Sequence, residues 1–423
     1  MKQSTLVMDF GTSNTLVGAV IDGKSFSALP LDPFSPDPTV IRTLLFFPDG
    51  NKAYYGHEAI DAYEDHDFEG RFIKSIKKFL PVQSYLGSYI DNRMVKLEDL
   101  IHFFMLEMKK RAEKHLNHQF DSILLGRPAK YSQDSAKDNL ALYRMTKAAE
   151  LAGFKYIAYL PEPIAAAHDF SSEFQESKLV LVVDLGGGTS DFTVVNMHKN
   201  KIQQEDVLAI SGVPVAGDKY DGSIMEHKIA KYLGANVTYR APLGKNILQM
   251  PKALLDHICS PGDLTQFHKK EFYAFFKGLK SWNVSSENRK KLELLEVIVD
   301  DNLGFKVFEA IEKAKVTVNL EGSAHFHYKY TDLEIIEDIH RDEFDTFSQK
   351  HTNKIFDELH ECLKLAQLKP EDIDFIYCTG GTSKLNSIQT RLKKMFSEEK
   401  VQSGNAFNSV LAGLNKYAIE NLC

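Results

Sequence analysis

The sequence predicts an α/β protein with two similarly built lobes, and three observations predict it. A strand–turn–strand unit spans Leu6 to Asn14 around Asp9-Phe10-Gly11-Thr12-Ser13-Asn14, and it recurs from Leu181 to Asp191 around Asp184-Leu185-Gly186-Gly187-Gly188-Thr189-Ser190-Asp191. In both copies an apolar run ends in one carboxylate, turns through Gly and hydroxyl residues, and re-enters a strand pattern. Strand and helix patterns alternate on either side of the second copy. A third Gly-rich turn, Thr379-Gly380-Gly381-Thr382-Ser383-Lys384, joins an apolar run over 373–378 to a helical pattern that continues through Lys394.

Length and composition set the outer limits. At 423 residues the chain exceeds what one hydrophobic core supports, so at least two domains are expected. A hydrophobic content of 43% with 26% charged residues is ordinary for a soluble protein. The formal charge of -7 argues against broad nucleic-acid binding. The aliphatic stretch Leu179 to Val183 is too short to span a bilayer, and the N-terminus runs into a strand without a leader pattern. The expected location is therefore cytoplasmic, with no membrane partner. Cys259, Cys362, Cys378 and Cys423 show no CxxC spacing and read as reduced thiols, Cys378 buried near a strand end.

Taken in order, the first unit continues to Ile21 and turns at Asp22-Gly23, a hairpin signal. Pro30, Pro33, Pro36 and Pro38 mark the exit into an inserted subdomain, about 30–98. Leu100, Ile101, Phe104 and Met108 form one stripe of a helix over 97–116. A short buried strand over 122–126 closes at Arg127-Pro128, and a helix over 135–152 stops at Gly153. His325 and His327 alternate with Phe326 and Tyr328, as on a half-exposed strand rather than in a metal site. Between 240 and 305, Lys269, Lys270, Lys277, Lys280, Arg289, Lys290 and Lys291 interleave with Phe272, Tyr273, Phe275, Phe276 and Trp282. That pattern suits a nucleic-acid surface; an amphipathic helical insert with snorkelling lysines is the preferred reading.

The turn chemistry points to phosphate. Glycines let backbone N–H groups approach an anion, and Thr and Ser hydroxyls add donors. A carboxylate at a strand end holds a hydrated Mg2+ through its waters. A Gly-Gly turn between strand and helix receives a nucleoside and offers N–H donors beside it. No Walker GxxxxGK[ST] is present, because Gly244-Lys245 is followed by Asn246.

The three turns, in this order, resemble the phosphate and adenosine motifs of the ATPase superfamily that unites actin, sugar kinases and the seventy-kilodalton heat-shock chaperones. Its heat-shock branch fits best. Residues 160–167, Leu-Pro-Glu-Pro-Ile-Ala-Ala-Ala, look like that family's connecting segment, 311–315 like its adenine-side helix, and 339–344 like the entry to its next helix. The resemblance implies an actin-like ATPase fold: two lobes, each built on a ribonuclease-H-like mixed sheet with helices, plus inserted subdomains. Lobe I would hold 1–172 with 399–423, and lobe II 173–398 with an insert of about 217–342.

The resemblance also implies roles, position by position. Gly11, Thr12, Ser13 and Asn14 would bind phosphate from one lobe, and Gly186, Gly187, Gly188 and Thr189 from the other. Asp9 and Asp184 would hold Mg2+ through water, Glu162 would support that shell, and Asp191 would orient the attacking water. Lys77 matches the lysine that reaches the phosphates, with Lys74 and Lys78 as rivals. Glu312 and Lys315 would contact adenosine from one side, and Gly380, Gly381, Thr382, Ser383 and Lys384 from the other. The implied activity is a slow, Mg2+-dependent hydrolysis of ATP to ADP coupled to lobe closure, with a protein client or co-chaperone as partner. An actin-like filament protein and a sugar-type kinase are the alternatives. Departures are Val316 where the family places an arginine, Ala216 in a Gly-Gly pair, the stretch Asn405 to Gly413 without its usual acids, and the expected lack of a peptide-binding domain after Tyr417.

Overall fold

A computed structural model of the chain describes residues 4–170, 176–197, 206–242, 244–260, 270–282, 285–301, 303–403 and 408–423. The expected lobe boundary at 172, and Lys269 and Asn405 among the residues singled out above, lie outside them. The chain divides into two compact units, one of Met1–His66, Gly70–Pro214 and Lys354–Cys423, the other of Asp67–Glu69 and Val215–Asn353.

The first unit contains two sheets of the same plan. The first has β1 (Thr5–Phe10), β2 (Asn14–Ile21), β3 (Lys24–Phe26), β4 (Ser122–Arg127) and β5 (Tyr156–Pro161) in the order β5-β4-β1-β2-β3, and a short sixth strand, Ile41–Arg42, pairs with the start of β2. The second has β6 (Lys178–Leu185), β7 (Ser190–Met197), β8 (Val207–Val213), β9 (Phe375–Thr379) and β10 (Val401–Ser403) in the order β8-β7-β6-β9-β10. Each sheet begins with an antiparallel hairpin, and its first strand then takes a parallel partner from far along the chain. The repeat legible in the hairpins is thus a repeat of whole sheets, and the α/β class is the observed one. The turn after β2 has the positive φ that Asp22-Gly23 suggested, 52° and 78°.

Both faces of the first sheet are covered. Leu6, Met8 and Phe10 pack with α1 (Leu97–Leu116) and α2 (Ser135–Leu151), through Leu100, Phe104 and Met145 among others. Val7 points the other way, into a core with α3 (Glu162–Phe170), Val180 and Val182 of β6, and the C-terminal helix (Asn408–Asn421). α2 ends two residues before Gly153, whose φ of 81° only glycine adopts cheaply. Cys378 is buried in β9, and burial pushes its thiol up to about 12.

In the second unit, helices Lys270–Trp282 and Ser286–Asp300 bury Phe276, Leu279, Leu292 and Leu295, while Lys277 and Lys280 both pair with Glu296. The described part of this stretch is amphipathic helix, as preferred from the sequence, with Arg289 and Lys290 exposed. Strand Ser323–Tyr330 pairs with Leu333–His340, and there His325 meets Asp338 at 2.8 Å and His327 meets Glu334 at 3.0 Å. Among the described residues no helix is long and apolar enough to cross a membrane.

The crossing of α3 with the C-terminal helix is tight at one point. A Cβ at Gly413 would stand 1.7 Å from the backbone oxygen of Ala165. Gly413→Val is expected to cost about 1–3 kcal/mol or more of stability through overpacking, read from urea denaturation midpoints. A variant with the wild-type midpoint would show that this crossing is not tight.

Candidate functional site

Strand pleat brings the two hairpin carboxylates to the same core. Residues two apart on a strand share a face, so Asp9 follows Val7, and Asp184 follows Val180 and Val182. The register sets Asp9 opposite Leu16 and beside Gly126, and Asp184 opposite Asp191 and beside Thr379. Glu162 opens α3 directly after β5, and its Cγ would lie 3.6 Å from a Cβ built at Gly126.

The cation comes from the inserted segment. Ser75 turns the chain with φ 57°, and a single 3-10 turn, Ile76–Phe79, presents Lys77. Its Nζ donates to Glu162 Oε1 at 2.9 Å, with the two side chains 11% and 12% exposed. Lys78 is placed otherwise: a Cβ on Gly188 would stand 2.3 Å from its Cε. Lys74 closes strand Arg71–Lys74 opposite Leu44. Lys77, one of the three lysines left open by the sequence, is thus paired with Glu162.

Electrostatics tie these groups together. Burial, reinforced by Glu162 and opposed by Lys77, pushes the Asp9 carboxyl up to about 7. Asp191 also rises to about 7 through burial, against the hydrogen bond it accepts from Thr189 Oγ1 at 2.8 Å. Asp184 is raised well above its ordinary value by burial and by Glu162, Asp191 and Asp9. Burial works against the Lys77 ammonium, but Glu162 and Asp9 outweigh it and the net shift is upward.

The turns are built for close approach. A Cβ at Gly11 would meet the Asn14 carbonyl oxygen at 2.1 Å. Gly186 N–H donates to Thr189 O at 3.0 Å and closes the second turn. The third turn is bolted to it, because Thr382 Oγ1 donates to Gly186 O at 2.7 Å. Gly380 has φ 80°, and a Cβ there would meet Leu185 O at 2.2 Å. Gly381 has open space where a side chain would be, and Ser383 Oγ donates to Gly380 O at 2.7 Å. The sequence suggested a direct strand-to-helix turn; a 3-10 turn, Gly381–Lys384, intervenes before the helix Asn386–Phe396.

Glu312 and Lys315 belong to the second unit, on helix Gly304–Glu321. There Lys315 Nζ lies 2.8 Å from Asp221 Oδ1, both side chains nearly buried. Burial raises Asp221 to about 6 even with that ammonium alongside. Asp221 was not singled out from the sequence. Neither was Tyr131, whose hydroxyl is buried without a hydrogen-bond partner among the described residues and within electrostatic reach of Lys77 and Glu162. The only sequence signal for Tyr131 was its place just after the strand end at Arg127-Pro128.

A family model described as Hsp70 protein matches residues 83–240 and 283–415 of this chain. The chain belongs to the Hsp70 family. Its fold is accordingly the actin-like ATPase fold, with the two like sheets given above. The chaperone protein DnaK of Thermosipho melanesiensis is 24% identical over 415 residues, covering 97% of this Hsp70-family chain and 58% of that relative. The chaperone protein HscA homolog of Rickettsia prowazekii is 24% identical over 288 residues, 61% of this chain and 46% of the relative. The chain thus spans about half the length of the curated relatives it matches.

A raised carboxyl pKa has a definite sign in stability. Asp191 ionises at about 7 when folded against an ordinary 3.8, so its favourable contribution is complete below about pH 4 and lost as pH rises through 7. Wild type is expected to lose stability relative to Asp191→Asn across that window in chelator, read from thermal midpoints at stepped pH. A difference that is flat with pH would show that Asp191 ionises normally.

Proposed function

We propose that this Hsp70-family chain binds ATP or ADP with Mg2+ and slowly hydrolyses ATP to ADP and phosphate, using closure of two lobes, 1–172 with 399–423 and 173–398, as its conformational output. The observation that carries this reading is the convergence of one strand-end carboxylate from each of two like sheets on the Lys77–Glu162 pair. The reading is further supported by the relatives, which are chaperone proteins. A chaperone's client or co-chaperone is accordingly the proposed partner, and the cytoplasm the proposed location.

The residues suit the proposed ligands. Asp9, Glu162, Asp184 and Asp191 place more negative charge around Lys77 than one ammonium balances, which favours a divalent cation beside them. Among the described residues no group of three or more His, Cys, Asp or Glu is arranged to ligate a metal directly. A hydrated ion held through water by Asp9 and Asp184, with Glu162 behind it, fits such a donor set. Bound there, Mg2+ would neutralise phosphate charge. Phosphoryl transfer to water asks for positioning and charge stabilisation more than covalent help. Gly11, Thr12, Ser13 and Asn14 on one side and Gly186, Gly187, Gly188 and Thr189 on the other would seat the phosphates. Lys77 would meet the transferred group, and Asp191, braced by Thr189, would orient the water. Gly380, Gly381, Thr382, Ser383 and Lys384 would receive adenosine.

Single-turnover conversion of ATP by the purified chain with Mg2+ tests the proposal, with bound nucleotide read in the same samples. Wild type is expected to convert a stoichiometric amount, and Asp184→Asn to slow conversion about 10²–10³-fold, the scale for losing one electrostatic partner of a transition state. Binding without conversion would remove the ATPase; no binding would remove the nucleotide.

A further inference from the structure

The 3-10 turn that carries Lys77 is too short to hold its own shape. Such turns have poor hydrogen-bond geometry and leave carbonyls without partners. The segment continues as further turns, with Val82 N–H donating to Phe79 O and Tyr85 N–H to Val82 O, both at 3.1 Å. The ring of Phe79 stacks on Tyr85 with centroids 4.0 Å apart. What gathers these turns is a side chain from α2, on the far side in sequence. Arg144 Nη1 donates to the carbonyl oxygens of Phe79, Leu80 and Val82, and its Nη2 to that of Tyr85, each at 3.0 Å. Its Nε lies 3.6 Å from Glu98 Oε1 on α1, and the residue is 4% exposed.

A buried guanidinium satisfied chiefly by carbonyls is an expensive arrangement for mere packing. A planar fork of N–H donors, by contrast, fixes several oxygens at once, which a lysine ammonium does not do. We propose that Arg144 is a positioning residue for Lys77: by clamping the last carbonyl of the turn and those that follow it, it sets where the Lys77 ammonium sits beside Glu162. The functional consequence rests on the ATPase reading above; the positioning itself does not.

Two readouts on the full chain separate these. In the nucleotide-free protein, acetylation of Lys77 by an N-hydroxysuccinimide ester is followed by peptide mass spectrometry, with exposed Lys155 and Lys364 as internal controls. Arg144→Met is expected to raise the Lys77 rate about tenfold and Arg144→Lys about threefold, with the controls unchanged, since local opening governs access. A Lys77 rate within about twofold of wild type in folded variants overturns the proposal, whatever the loss of thermal stability. Should Arg144→Met not fold, Arg144→Lys and Glu98→Gln carry the same test. In single turnover at saturating ATP, Arg144→Lys is expected to lower the rate without weakening ADP binding, and to add nothing in a Lys77→Met background. An additive loss in that background overturns the proposal as well. If wild type converts no ATP, the ATPase reading falls and the labelling still decides the role of Arg144.

Discussion

Everything at the candidate site follows from putting several carboxylates where little water reaches them. An isolated carboxylate avoids such a place or takes up a proton. Here Asp9, Asp184 and Asp191 are each raised by burial, and Lys77 is the cation that opposes the rise in all three. A buried ion pair such as Lys77–Glu162 is weak grounds for stability, because desolvation cancels much of the attraction. What the pair does provide is one ammonium that works against the rise of all three neighbouring acids.

Close approach is the second constraint, and the glycines enforce it. Gly11 and Gly380 leave no room for a Cβ, and Gly413 lets two helices touch behind the carboxylates. The Thr382 to Gly186 bond then makes the third turn and the second hairpin one mechanical object. Rigid placement of this kind is what a site relying on orientation needs.

The hairpins, their carboxylates and the flanking helices were legible because each is a local signal. Apolar alternation marks a strand, a 3.6-residue stripe marks α1, and Gly153 marks the end of α2. What was not legible was non-local. Nothing adjacent to Lys77 distinguishes it from Lys74 or Lys78; only the position of Glu162, 85 residues away, does so. Arg144 reads as one more residue of an amphipathic helix, since its carbonyl acceptors are 59 to 65 residues distant and backbone carbonyls leave no trace in sequence. The pairing of Lys315 with Asp221 was hidden for the same reason.

The repeated hairpins also show where chemistry enters a symmetric plan. Both turns are four residues long between paired strand ends, Phe10 with Thr15 and Leu185 with Ser190. One step further in, the copies part: Asp9 faces Leu16, which is buried and apolar, whereas Asp184 faces Asp191. The first sheet therefore contributes one acid and the second a facing pair. The balancing cation comes from neither hairpin but from the segment inserted after β3. Duplication of a sheet accounts for two carboxylates on one core; it does not account for the asymmetry of charge around them. That asymmetry comes from Asp191, which faces Asp184 and accepts from Thr189, and from Lys77, which pairs with Glu162.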